Sequence, residues 1–293
     1  MILVFGSINV DMIFALERLP TAGETVLGPG VLIQPGGKGA NQAAAAARDG
    51  AEVTMVGAVG RDALAGAALD LLRDAGVNLQ RVQAVEQATG CAAICTDRAG
   101  RNLIAVGSGA NLRARADAVE DALLGPGTVL VLQREVDPIE TETLIRRAHA
   151  AGSRVVLNLA PAGPLDPAVL RLVDVLVVNE HEAAWLARFL GVDEGAIQVA
   201  LGTTVVRTLG ERGSAYAGHE GAGLVPALAV TVVDTTAAGD CYTGVLAAGL
   251  DRGLALPAAL ERASVAAGLC CGRRGSQSSL PFRSEIDAAL AGG

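Results

Sequence analysis

A chain of 293 residues is long enough to bury most of its apolar surface, as one large α/β domain with an appendage or as two small domains. Hydrophobic residues make up 51% of it but aromatic residues only 2%, so its core must be built from Ala, Val and Leu, which suits thin helices packed on a parallel sheet. A net charge of −8 excludes a basic surface for nucleic acid or an anionic membrane, and five cysteines without a Cys-x-x-Cys spacing suggest neither a disulfide framework nor a zinc site.

The chain enters an apolar run at once, Ile2 to Phe5, with no basic segment ahead of it and a break at Gly6-Ser7. It therefore does not read as a secretory leader, and no later stretch reaches the roughly 18 uninterrupted apolar residues of a membrane span. The expected location is the reducing cytoplasm. Short β-branched or apolar runs then alternate with helical stretches, the pattern of parallel strands and crossover helices. Strands are predicted over Ile2–Ser7, Val53–Val59, Thr128–Gln133, Arg154–Leu159, Val173–Val178 and Thr204–Leu209. Helices are predicted over Lys38–Arg48, Ala63–Ala75, Pro138–Ala150 and His181–Leu190, each closed by Gly soon after. The alternation predicts a doubly wound α/β sheet. Two segments break the rhythm, Asp11–Pro35 and Gly90–Ala110, and both read as hairpins with Gly or Pro turns. They are expected to form a small β-sheet lid inserted in a single domain of 1–293. The last third reads as mainly helical, from Gly239–Asp251 through Pro257–Cys271.

Gly37-Lys38 invites a Walker A reading, which fails because Leu32 stands at the first glycine position and Gly39 where a Mg²⁺-binding hydroxyl is required. The dinucleotide pattern fails too, since Gly107-x-Gly109 leads to Leu112 and Gly37-x-Gly39 leads to Gln42. The most informative segment is Val232-Val233-Asp234-Thr235-Thr236-Ala237-Ala238-Gly239-Asp240, where an extended run meets a helix through three small residues. Unobstructed N–H groups at a helix N-terminus make an anion hole, and a carboxylate beside it can accept the proton of an attacking hydroxyl. An Asp that only complements the helix dipole is the structural alternative. Gly36-Gly37-Lys38-Gly39-Ala40-Asn41 lets backbone touch a ligand while Lys38 and Asn41 offer donors, or is a plain turn and helix start. Asn9 and Asp11 lie two apart, on one face of an extended chain, where a carboxylate can accept from neighbouring hydroxyls; the alternative is an Asx turn. Asn179 and Glu182 have the spacing of a capping box, which needs no ligand. His149, His181 and His219 share no metal spacing.

Taken together and in this order, Gly-Ser-Ile-Asn-Val-Asp, Gly-Gly-Lys-Gly-Ala-Asn-Gln-Ala, Asn-Leu-Ala-Pro-Ala, Asn-Glu-His-Glu, Thr-Leu-Gly-Glu-Arg-Gly and Asp-Thr-Thr-Ala-Ala-Gly-Asp resemble the PfkB family of carbohydrate kinases over nearly the whole chain. The resemblance implies the ribokinase-like doubly wound α/β/α sandwich and transfer of phosphate from ATP to O5 of D-ribose. Another sugar or nucleoside substrate, such as 2-deoxyribose or a fructose-type sugar, is the alternative. A non-catalytic sugar binder would have no need of a base at Asp240. Carried over residue by residue, Asp240 becomes the catalytic base, and Ala237, Ala238 and Gly239 the anion hole. Asn9, Asp11, Gly37, Lys38, Asn41 and Glu135, with Asp240, would hold the sugar. Asn179, Thr208, Gly210 and Gly213, with Gly239, would line the nucleotide site, and Glu182 would meet Mg²⁺ through water. Asp234, Thr236, Arg273 and Gly275 match the region that binds a monovalent cation, K⁺. A homodimer through the lid is expected. Two departures stand out: Leu159 in Asn158-Leu159-Ala160-Pro161, which is expected to be structural, and a short span between Asn179 and Thr208.

Overall fold

A computed structural model describes residues 1–292. The N-terminal half forms β1 (Ile2–Phe5), β2 (Asn9–Ala15), β3 (Leu32–Gly36), α1 (Lys38–Arg48), β4 (Val53–Gly60), α2 (Ala63–Asp74), β5 (Asn78–Val85), β6 (Gly90–Thr96), β7 (Asn102–Gly107) and β8 (Val129–Leu132). There follow α3 (Pro138–Ala150), β9 (Arg154–Asn158), α4 (Pro167–Leu170), β10 (Val175–Asn179), α5 (Glu180–Leu190), α6 (Ile197–Leu201) and β11 (Thr204–Thr208). The chain ends with β12 (Ser214–Gly218), β13 (Gly221–Val225), α7 (Ala238–Asp251), α8 (Leu256–Cys271) and α9 (Arg283–Gly292).

Nine strands make one sheet in the order β13-β12-β11-β10-β9-β8-β1-β4-β5, parallel from β11 to β5 and closed at the far edge by an antiparallel hairpin. The chain winds outward from β1 through β4 and β5, then returns and winds the other way from β8 to β11. The reversal between β1 and β8 opens a crevice at the carboxyl ends of the strands, where open α/β sheets bind ligands. Alternation along each strand feeds two cores. Ile2, Val4, Val129, Val131, Val175 and Val177 pack with α1, α2, α7 and α8, whereas Leu3, Phe5, Leu130, Leu132, Leu176 and Val178 pack with α3 and α5. Scarcity of aromatic residues has its counterpart in close helix packing. Gly244 in α7 lies directly over the Gln42 carbonyl of α1, and a side chain there would collide with it.

The second sheet has the order β3-β2-β6-β7, with β2 pairing β3 and β6 pairing β7 antiparallel and the two halves joined by a parallel β2–β6 pair. Only β6–β7 is a tight hairpin, its turn held by Asp97, whose carboxylate accepts from the N–H groups of Ala99 and Arg101 at 3.0 Å each. The chain between β2 and β3 is instead a long excursion, 16–31, braced by the Arg18–Glu24 ion pair. The short span between Asn179 and Thr208 holds α5, a 3₁₀ turn at Glu194–Ala196 and the five-residue α6. No helix among the described residues is long and apolar enough to cross a membrane, and all five cysteines are free thiols.

Candidate active site

The crevice collects side chains from the ends of five parallel strands and the N-termini of three helices, α1, α5 and α7. Asp240 sits in the first turn of α7 and is buried. Its Oδ2 accepts from Asn41 Nδ2 at 2.9 Å and its Oδ1 from Gln42 Nε2 at 3.0 Å, both from α1. Burial pushes the Asp240 carboxyl up from its ordinary value, opposed by the Lys38 ammonium and by the bonds from Asn41 and Gln42. Lys38 is in turn held above its usual range, chiefly by Asp240 and against its own burial. The two groups thus favour each other's charged forms, although the ammonium makes no direct bond to the carboxylate among the described residues.

Beside it, Ala237 is the only non-glycine residue with a positive φ among the described residues, at 59°. This left-handed step starts α7 without a side-chain cap. The Ala238 N–H reaches the Thr235 carbonyl at 3.3 Å, but the N–H groups of Gly239 and Asp240 donate to no protein acceptor among the described residues. With only methyl groups and a glycine around them, these two groups are free to meet an anion, one residue further along than the Ala237–Gly239 turn expected from sequence, where the Ala238 N–H is already committed. The preceding loop is tied by Asp234. Its Oδ1 accepts from Thr236 N at 2.9 Å and Thr236 Oγ1 at 2.6 Å, and its Oδ2 from Gly275 N at 3.0 Å. Burial works against ionisation of Asp234, yet these bonds hold its carboxyl below the usual range. Asp234, Thr236 and Gly275 are thus brought together. The Arg273 side chain does not join them, because its guanidinium is paired with Glu285.

On the opposite side, Gly37 has φ 92°, and a Cβ there would stand 2.7 Å from the Asn9 N–H nitrogen, so α1 docks directly on the root of β2. A side chain at Gly36 would fall on the Asp11 carboxylate. Burial, then Glu135 and Asp240, push the Asp11 carboxyl up to about 6 against the pull of Lys38. Asn9 is buried and its Oδ1 accepts from Asn111 Nδ2 at 2.6 Å, while Asn111 Oδ1 accepts from the Ile8 N–H at 2.9 Å. Glu135 Oε2 accepts from Ser7 Oγ at 2.6 Å and from the Lys38 N–H at 3.2 Å. Asn41 Oδ1 is buried with no protein partner.

At the far end, Asn179 and Glu182 form the full capping box. Each backbone N–H donates to the other's side chain at 2.8 Å. Burial pushes the Glu182 carboxyl up, partly offset by the Asn179 N–H and by Lys38. Thr208 stands opposite Asn179 in the β10–β11 register. Gly210 and Gly213 both have positive φ, at 59° and 86°, and a side chain at Gly213 would fall on the Val225 carbonyl. Leu159 is fully buried in the core, which accounts for it without a ligand.

Sequence reasoning missed Ser7, Asn111, Gln133, Asn158 and the role of Gln42. A polar residue opening the alanine run 43–47, on a helix face that is otherwise buried, was the available signal for Gln42. Two surface clefts share no residue with this site. One of about 690 Å³ is lined by Arg115, Glu120, Glu140 and Arg147, and another of about 290 Å³ by His149, Arg171, Asp174 and His219. The charged groups of the first are paired with neighbours, and neither cleft holds any of the residues bonded to Asp240. Among the described residues no group of three His, Cys, Asp or Glu side chains is placed to hold a metal ion.

A ribokinase from Lactococcus lactis is 36% identical to this chain, with 98% of this chain and 96% of the relative covered. A crystal structure of ribokinase from Thermotoga maritima superposes with a TM-score of 0.92 at 29% identity, covering 99% of each chain. A structure of Arabidopsis thaliana ribokinase complexed with ribose and ATP superposes with a TM-score of 0.87 at 31% identity, covering 99% of this chain and 98% of the other. Residues 1–283 match the pfkB family carbohydrate kinase description, and the chain belongs to that family.

Proposed function

We propose that this chain is a ribokinase, transferring the terminal phosphoryl group of ATP to O5 of D-ribose to give ribose 5-phosphate and ADP. The observation that carries the reading is Asp240, a buried carboxylate held by Asn41 and Gln42, under the charge of Lys38 and adjacent to unpaired N–H groups at the start of α7. A sugar binder needs no such base. In the transfer, Asp240 accepts the proton of the 5-hydroxyl as its oxygen attacks the phosphorus and the bond to ADP breaks. The free N–H groups of Gly239 and Asp240, at the Ala237–Gly239 turn, supply fixed dipoles where negative charge builds on the transferring group. Asp11 and the unpartnered Asn41 Oδ1 accept from ring hydroxyls. Asn9, Glu135 and the backbone of Gly37 and Lys38 shape the floor of the sugar site.

The four-stranded sheet serves as a lid that covers the sugar and excludes water. Thr208, Gly210 and Gly213 line the nucleotide site together with Asn179. Glu182 suits an outer ligand of Mg²⁺. One of its oxygens is committed to the Asn179 N–H, and the other accepts from no protein donor among the described residues. Mg²⁺ bound with ATP spreads the charge of the phosphates. The turn tied by Asp234, with Thr236, Gly275 and the main chain at Arg273, is read as the K⁺ site that tunes the neighbouring anion hole. Leu32, Ile33, Leu103, Ile104 and Val106 stand roughly half exposed on the small sheet, which favours a homodimer paired through the lid. Free thiols fit a reducing cytoplasm.

Phosphorus NMR of the product formed from D-ribose and MgATP tests the assignment. A phosphate resonance split by the C5 protons is expected. Phosphate on another oxygen, or product formed only from 2-deoxyribose, a fructose-type sugar or a nucleoside, would move the chain to a different branch of the family.

A further inference from the structure

A series of buried amides leads from the ends of β8 and β9 to Asp240. Gln133 Nε2, at the end of β8, donates to Gln42 Oε1 at 2.6 Å. Gln42 Nε2, in α1, donates both to Asp240 Oδ1 at 3.0 Å and to Asn158 Oδ1, at the end of β9, at 3.1 Å. Asn158 Nδ2 is spent on the Val177 carbonyl of β10 at 3.3 Å, so its oxygen is the atom left to face Gln42. Gln42 and Gln133 are fully buried and Asn158 nearly so. Each link fixes the orientation of the next. If the Gln42 amide were reversed, its oxygen would confront the Asp240 carboxylate and the Asn158 oxygen with no proton between them. The backbone makes room for this series. Gly6 lacks a side chain where the Gln133 amide sits, and Gly244 lets α7 close onto the Gln42 carbonyl.

We infer that Gln42 is a positioning residue for the catalytic base, its amide oriented by Gln133 and Asn158 so that Asp240 Oδ1 is held in one place while Asn41 holds Oδ2. The inference rests on the kinase reading for its meaning but not for its test. A bond donated to a carboxylate favours the ionised form, so Gln42 also sets the pH at which Asp240 becomes a base. Of the charged or titratable groups around Asp240, Lys38 of α1 acts in the same sense. Glu135 after β8, Asp11 of β2 and Glu182 of α5 act in the opposite sense, and the thiols of Cys241 and Cys270 lie nearest within α7 and α8. None of these is altered by changing Gln42.

The test follows Asp240 by carbon NMR of labelled aspartate carboxyls in the full chain, its resonance assigned by loss in Asp240→Asn. Gln42→Met keeps the bulk of the side chain and removes the donor. It should raise the Asp240 titration by about one pH unit, and the acid limb of kcat should move with it, with sugar KM within about three-fold. Gln133→Met does not touch Asp240 and should move the titration in the same direction by less. If Gln42→Met fails to melt cooperatively, Gln133→Met answers the same question. An Asp240 titration at its wild-type position in whichever variant folds overturns the inference, even where stability or turnover falls uniformly across pH. Wild-type protein that turns over no sugar overturns the kinase reading instead, and the titration still decides the role of the amides.

Discussion

In the nine-stranded sheet the side chains of β1, β8 and β10 are buried on both faces, whereas in the four-stranded sheet the side chains of Leu32, Ile33, Leu103, Ile104 and Val106 remain about half exposed. The first is a scaffold held by two cores, whereas the second is exposed on both faces at β7 and at the start of β3. The site lies on the seam between them. Asp240, Asn41 and Gln42 come from the doubly packed region and are fixed by mutual bonds. Asn9 and Asp11 come from the root of β2, where Asn111 still pins the strand. Toward its far end β2 becomes exposed, at Ala15. The proposed base is therefore bonded within the doubly packed region, whereas Asn9 and Asp11 stand at the root of the small sheet.

The sharpest way to break this contrast is to disarm the rigid side alone. Asp240→Asn should lower kcat by about 10²–10⁴-fold and leave sugar KM within a few-fold, because the base acts in the transition state. Near-wild-type turnover would remove Asp240 from that role. Stability should divide the same way. Leu157→Ala, in the middle of β9, should cost about 2–5 kcal/mol in urea unfolding, and Ile104→Ala on the small sheet less than about 1 kcal/mol. Equal costs would mean that the second sheet is as firmly built as the first. On the sugar-reading side, a substrate without the 2-hydroxyl leaves part of Asp11 unpaired at a cost of about 1–3 kcal/mol. The kcat/KM for 2-deoxyribose should thus fall about 10- to 100-fold below ribose, and Asp11→Ala should narrow that gap. The Asp11 carboxyl is pushed up to about 6, so it is protonated below that pH and loses acceptor capacity. Ribose KM should then rise as pH falls through about 6 in wild type but not in Asp11→Ala; a flat profile in wild type would place the sugar away from Asp11. The smallest effect is expected at the loop tied by Asp234, where K⁺ should raise activity over Na⁺ at matched ionic strength. Indifference to the cation would leave that turn purely structural.

How much of this was legible in sequence follows from the same contrast. Strands buried on both faces read as unbroken apolar runs, and β1, β4, β8, β9, β10 and β11 were predicted to within two residues of their ends. β5 was missed because Asn78–Val85 alternates polar side chains at the sheet edge, and β12 and β13 because Ser214–Gly218 and Gly221–Val225 are mostly glycine and alanine. The buried Asp240 and the left-handed turn at Ala237 that precedes it could be singled out because they are contiguous in sequence. Asn111 and Gln133 were not, since their partners Asn9 and Gln42 lie 102 and 91 residues away in the chain and nothing local marks either pairing. At Asn179 the two readings were never in competition, as the capping box forms and still leaves one Glu182 oxygen unpartnered.

The central claim, that a sugar hydroxyl and ATP react at Asp240, is tested most directly by ADP release from MgATP with and without D-ribose, in wild type and in Asp240→Asn side by side. The account predicts release that depends on ribose, exceeds that with fructose-type sugars or nucleosides, and falls by at least about 100-fold in the variant. ADP release that is the same without sugar, or that survives in Asp240→Asn, would contradict it.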